Sequence, residues 1–141
     1  MSESTIIAAP RDLQCIVVTP ETTVVETTAD FVALTLYDGE CGISPRHSPM
    51  IGRLGFGELR INRGKEVQRY YVDGGFVQVA DNVVSVLTNR AVPAEGVDAA
   101  AAAELLRAAL SRRAAGSEEM AIRDRLQAQA RGQLRVAQRN A

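Results

Sequence analysis

The feature that most constrains this chain is a change of hydrophobic period at Pro93–Gly96. Before it, apolar residues alternate every second position. After it, they recur every three to four. Alternation is the mark of a half-buried strand and the longer period that of an amphipathic helix, so one chain must form two unlike parts. From Leu13 to Val92 the reading is all strand. LQCIVVT (13–19) and TVVETTA (23–29) are rich in β-branched residues and are separated at Pro20. In ADFVALTLYDG (29–39), Phe31, Ala33, Thr35 and Tyr37 alternate with Val32, Leu34 and Leu36. GELRIN (57–62) and EVQRYYVD (66–73) flank the turn Arg63-Gly64-Lys65, and FVQVA (76–80) and VVSVLT (83–88) flank Asp81-Asn82. Both are short hairpin turns, because glycine and Asx residues tolerate positive φ. Many short strands with turns between them predict an antiparallel sandwich or barrel over 13–93, behind a flexible N-terminus at 1–12.

Residues 94–141 predict a helical hairpin. Asp98 is placed to cap a helix over 99–115, with Ala102, Leu105, Leu106 and Ala109 as its stripe. Gly116-Ser117 reads as a C-cap followed by a new N-cap. A second helix then runs from about Glu118 to Gln138, with Leu126, Ala130, Leu134 and Ala137 on one face. Gly132 interrupts it at about 1 kcal/mol relative to alanine, which predicts marginal stability for that helix alone. Charge divides the same way. Residues 1–97 hold 8 basic and 12 acidic side chains, whereas 98–141 hold 8 basic and 5 acidic. Arg131, Arg135 and Arg139 form a stripe beside the apolar face, either a solvated surface or a docking strip for an acidic partner.

Catalysis finds no support. There is one histidine, His47, in GECGISPRHSPM (39–50), and neither a Ser-His-Asp set nor a zinc site can be completed around it. Cys15 and Cys41, 26 positions apart without a CxxC, read as two buried, inert thiols, with a disulfide between them the alternative. Gly52, Gly55 and Gly57 run opposite to the dinucleotide fingerprint and lack its βαβ setting, so they read as bends. Aromatics at 4% and an acidic strand half argue against nucleic acid. No stretch approaches a membrane span, and MSESTIIAAP lacks the basic start of a secretory leader. The residues alone predict a non-enzymatic β-sandwich with a basic helical hairpin.

GECGISPRHSPM resembles the segment G-E-x-G-I-x-P-x-H-x-P-L/M of the ε subunit of F-type ATP synthases. YYVDGGFVQVADNVVSVLTNRAV (70–92) is similar to that family's stretch around Gly-Gly-Phe, and GQLRVAQ (132–138) to its terminal helix. The resemblance implies a sandwich of about ten short strands followed by two helices. It also implies a stalk subunit, bound to the γ subunit and the membrane rotor ring at the cytoplasmic face of the bacterial inner membrane. Glu40, Pro45, Arg46, His47 and Pro49 would contact ring and γ. The hairpin would inhibit ATP hydrolysis when Arg123, Arg125, Arg131, Arg135 and Arg139 meet an acidic segment of the catalytic β subunit. Some members bind ATP through a motif I/L-D-x-x-R-A, which here reads Val97 to Ala102 with Ala101 in place of the arginine. That implies weak or absent ATP binding, at a site where Asp98 matches the motif's acid and Arg107, Arg112 and Arg113 are the residues able to compensate. An ATP-sensing subunit of the same kind and an unrelated sandwich adaptor with a basic tail are the alternatives.

Overall fold

The computed structural model describes residues 12–140, so the expected flexible N-terminus falls outside the described residues apart from Asp12. Its strands are β1 (Leu13–Val18), β2 (Thr23–Ala29), β3 (Phe31–Leu36), β4 (Gly39–Ile43), β5 (Met50–Arg63), β6 (Glu66–Ala80), β7 (Val83–Leu87) and β8 (Ala91–Pro93). They form one hydrogen-bonded sheet in the order β2-β1-β7-β6-β5-β3-β4, with β8 added to β6. Neighbours are antiparallel except β1 and β7, which are parallel.

Eight strands lie among the described residues, and two of them are long enough to run through both layers of the expected sandwich. β5 and β6 pair over nearly their whole lengths, but the register jumps from Leu54↔Gly75 to Phe56↔Asp73 and leaves out Gly55 and Gly74. Gly74 and Gly75 have φ of 72° and 109°, so both long strands bend at this point. Folding there turns one sheet into two facing layers. The first holds β2, β1, β7 and the adjoining halves of β5 and β6, and the second holds β3, β4, β8 and the other halves. Leu13, Cys15, Val17, Val77 and Val86 from the first meet Val32, Leu34, Leu59 and Val72 from the second in a single buried cluster. Each such aliphatic side chain contributes roughly 2 kcal/mol by leaving water.

The two-residue turns are as expected. Asp81 and Asn82 both take positive φ, 52° and 63°, and so does Gly64 at 59°. Cys15 is fully buried, and that burial pushes its thiol from 9.0 up to about 12. The unfolded thiol ionises at lower pH than the folded one. Its contribution to stability is therefore intact below pH 9 and lost as pH rises from 9 towards 12. Urea unfolding of a Cys15→Val variant is expected to lack part of this alkaline decline, and an identical pH profile would contradict it.

Two helices follow a single 3-10 turn at Ala94–Gly96: α1 (Ala99–Ser111) and α2 (Gly116–Gln138). Asp98 caps α1 as expected, accepting from the Ala100 amide at 2.9 Å. The junction differs from expectation. α1 stops at Ser111, four residues short of Ala115, and Ser117 is not a cap. Glu119 reaches back to accept from the Ala115 amide at 2.9 Å, the carboxylate half of a capping box, while no capping side chain serves the first-turn amides. α1 packs on α2, and α2 carries the contacts to β5, β6 and the Ala94–Gly96 turn. In the expected stripes, Ala102, Ala109, Ala130 and Ala137 are buried, whereas Leu105 is 53% exposed.

Candidate functional site

Three surfaces stand out, and the first and third hold most of the residues singled out by sequence. The first is the loop from β4 to β5. Pro45 and His47 are half-buried there, and Arg46, Ser48 and Pro49 are exposed. Arg46 adopts φ of 66°, and its amide donates to Asn82 Oδ1 at 2.5 Å. That bond ties the loop to the β6–β7 turn. His47 Nδ1 hydrogen-bonds the Ser48 carbonyl at 2.7 Å, so this imidazole is held by backbone. Among the described residues no group of histidine, cysteine or carboxylate side chains is arranged to hold a metal. Glu40 lies elsewhere, in a groove beside α2 with Glu58, Arg135 and Arg139.

The second surface emerges only from register. Val18, Leu87, Phe76 and Arg53 form a row across four neighbouring strands, and Tyr37, just past the end of β3, extends it. Arg53 pairs with Phe76, Phe76 with Leu87, Leu87 with Val18, and the Tyr37 amide donates to the Arg53 carbonyl at 2.8 Å. Their sequence neighbours Val17, Val77 and Val86 point into the core, so the row points out of the first layer. Ile51 lies on the same side, 78% exposed, and Phe76 is 57% exposed. Arg53 stacks over the Tyr37 ring, 4.2 Å from its centre. Large exposed apolar side chains gathered on one face are a mark of contact surfaces.

The third surface is the opposite outer face, where α2 lies on the second layer. Gly132 brings helix and strand into backbone contact. A Cβ there would stand 2.4 Å from the Phe56 carbonyl oxygen, so only glycine permits this approach. Beneath it Tyr71 is fully buried in a small cluster with Ala94 and Val136, flanked by Phe56 and Val97. Tyr71 donates to Asp73 Oδ1 at 3.1 Å, and Gln129 of α2 donates to the same oxygen at 2.9 Å. Burial first, then the Asp73 charge, hold the Tyr71 phenol well above its usual range.

The five arginines expected to face a catalytic subunit are not one free stripe. Arg139 Nη1 donates to Glu58 Oε1 at 2.6 Å, and Arg135 Nη2 reaches the Phe56 carbonyl at 3.5 Å. Arg131 bonds Gln127 within the helix at 3.4 Å, and Arg123 sits 3.7 Å from Asp124. Arg125 is exposed. Among the residues considered for nucleotide, Asp98 is engaged as the cap and Arg107 is paired with Glu104. Arg113 is exposed, and Arg112 borders a largely apolar groove between the helices, lined by Leu105, Ala109, Leu126 and Ala130. No described helix is long and apolar enough to cross a membrane.

Comparison with known proteins agrees with this architecture. Residues 12–94 match the family model for the β-sandwich domain of the ATP synthase delta/epsilon chain. The ATP synthase epsilon chain of Rhodopirellula baltica is 47% identical over 125 residues, covering 89% of this chain and 98% of that one. The epsilon chain of Rubrobacter xylanophilus is 41% identical over 88 residues, 62% of this chain and 60% of that one. Among solved structures, a chain of the Euglena gracilis mitochondrial ATP synthase superposes with a TM-score of 0.79 at 20% identity, over 94% of this chain and 86% of its own. A chain from the central stalk and c-ring of the Tetrahymena thermophila enzyme does so at 0.71 and 14% identity, over 92% and 99%. The chain therefore belongs to the ATP synthase delta/epsilon family, among its epsilon chains.

Proposed function

We propose that this non-catalytic stalk subunit is gripped between the γ subunit and the membrane rotor ring, and so helps carry ion-driven rotation to the catalytic subunits. The observation that carries this reading is the apolar strip of Tyr37, Ile51, Phe76 and Leu87, which lies on the layer opposite α2. Burying it against γ would remove large side chains from water at the centre of a contact, where association energy concentrates. The neighbouring loop suits the ring. Pro45 and Pro49 fix φ, the Arg46–Asn82 bond holds the loop to the sheet, and less order has to be imposed on docking. In this reading the subunit is peripheral, at the cytoplasmic face of the bacterial inner membrane.

The same reading gives the hairpin an inhibitory role. When extended, it presents Arg123, Arg125, Arg131, Arg135 and Arg139 to an acidic segment of the catalytic β subunit and slows ATP hydrolysis. Weak or absent ATP binding belongs with it, because Ala101 stands at the motif's arginine position and Asp98 and Arg107 already have partners.

Replacing Phe76 and Leu87 together by Asp tests the docking strip. Both side chains are exposed, so the isolated subunit is expected to keep its fold. Its affinity for γ is expected to fall by roughly thirtyfold or more, the cost of losing a hot spot. Unchanged co-purification with γ would contradict the assignment.

A further inference from the structure

Glu58, on the outer face of β5, is the meeting point of three guanidinium groups. Arg69 donates through Nε to Glu58 Oε2, Arg139 donates through Nη1 to Oε1 at 2.6 Å, and Arg60 Nη1 lies 3.6 Å from Oε1. The carboxylate is 14% exposed, so these pairs are only partly screened. Arg69 then reaches the end of α2. Its Nη2 donates to the Val136 carbonyl at 3.0 Å and its Nη1 to Asn140 Oδ1 at 2.7 Å. Asn140 Nδ2 in turn donates to the Ala94 carbonyl at 2.6 Å. Val136 lies in the last turn of α2, where carbonyls have no partner within the helix. One acid thus organises the bonds that hold the helix end on the sandwich.

We infer that Glu58 is an intramolecular rival to the acidic surface of the catalytic subunit, so that the folded and inhibitory positions of the hairpin compete for Arg139. This rests on the proposal above that the hairpin extends to inhibit. The geometry makes the two sides of the pair unequal. If Arg139 departs, Glu58 keeps Arg69 and Arg60, and no carboxylate is stranded. If Glu58 is neutralised, Arg60, Arg69 and Arg139 face one another, and among the described residues lining the groove Glu40, an exposed acid, is what remains to offset them. Losing the acid should therefore free the hairpin more than losing the arginine. Docking inverts the order, because of this pair Arg139 meets the catalytic subunit and Glu58 does not.

Hydrogen exchange on the full-length subunit and ATP hydrolysis by the assembled synthase read these effects separately. In Glu58→Gln, exchange across residues 129–138 is expected to quicken about tenfold, the scale of a lost charge-assisted hydrogen bond. In Arg139→Gln it is expected to quicken less. Amides of β1 and β7, remote from Glu58, serve as the internal reference. Hydrolysis is expected to fall in Glu58→Gln, where more hairpins extend, and not to fall in Arg139→Gln. Unchanged α2 exchange in Glu58→Gln overturns the rivalry whatever the hydrolysis rate. Faster exchange with unchanged hydrolysis upholds the Glu58 latch and overturns the inhibitory reading instead. Should Glu58→Gln also loosen β1 and β7, Arg139→Gln decides, and no acceleration of α2 in that variant overturns the inference.

Discussion

Gly132→Ala is expected to lift α2 off the sandwich while leaving both parts folded. A single added methyl group would sit 2.4 Å from the Phe56 carbonyl oxygen and 2.8 Å from its carbon, and both are backbone atoms that cannot turn aside. Overpacking against a rigid neighbour costs roughly 1–3 kcal/mol. The helix itself gains about 1 kcal/mol from the same change, since alanine is the better helix former. The substitution therefore strengthens α2 and weakens its seat. Displacement breaks the Gln129–Asp73 and Arg69–Val136 bonds together and uncovers Tyr71. Circular dichroism is expected to show no loss of helix, whereas binding of an apolar dye and solute access to the Tyr71 ring both rise. Native shielding of the Tyr71 ring in the variant would refute the close-approach argument.

Gly75→Ala is expected to act on the sandwich itself and more severely. Gly75 holds φ of 109°, where side-chain-bearing residues are strained by roughly 1–3 kcal/mol. A Cβ there would stand 2.0 Å from the Leu87 carbonyl oxygen and 2.8 Å from the Thr88 Cα. Relief requires β6 and β7 to part at the bend that separates the layers. A loss above about 3 kcal/mol is expected, a large share of the roughly 5–15 kcal/mol that stabilises a domain. Gly64→Ala is the control. Its φ of 59° is also positive, but nothing lies within 4 Å of its added Cβ. Its cost is expected to stay near 1 kcal/mol. Similar denaturation midpoints for the two variants would show that the overlap at Gly75 is relieved cheaply.

Local signals carried much of this fold. Alternation in Leu13–Val17 and Val32–Leu36, the Asp81-Asn82 turn and the Asp98 cap are each set by residues within a few positions of one another, and each is found as expected. What sequence obscured depends on distant partners. Gly55 read as a bend and is one, but Gly74-Gly75 fell between two separate strand segments, whereas β6 runs on through them, because its pairing with β5 continues on both sides. The end of α1 was overrun because an alanine-rich stretch does not encode where a helix stops. Gly132 read as a weak point in a helix. Its use lies in Phe56, 76 positions away, and glycine shows no local sign of what must come near it. The candidate surfaces divide in the same manner. Proline and histidine marked the β4–β5 loop, but the apolar row exists only once register aligns Arg53, Phe76 and Leu87. Glu58 shared no motif with Arg69 or Arg139.

The bend in β5 and β6 has a mechanical side. In sandwiches whose layers touch only through side chains, a sideways load passes through the packed core alone. Here two covalent strands run from the face bearing the apolar strip to the face bearing α2. A twisting load applied to one face reaches the other through peptide bonds as well as through the core. Shearing the layers would have to rotate the backbone at Gly55 and Gly74-Gly75, where hydrogen bonds on both flanks hold it in place. The glycine corner that lets the sheet fold over thus also stiffens the body against torsion.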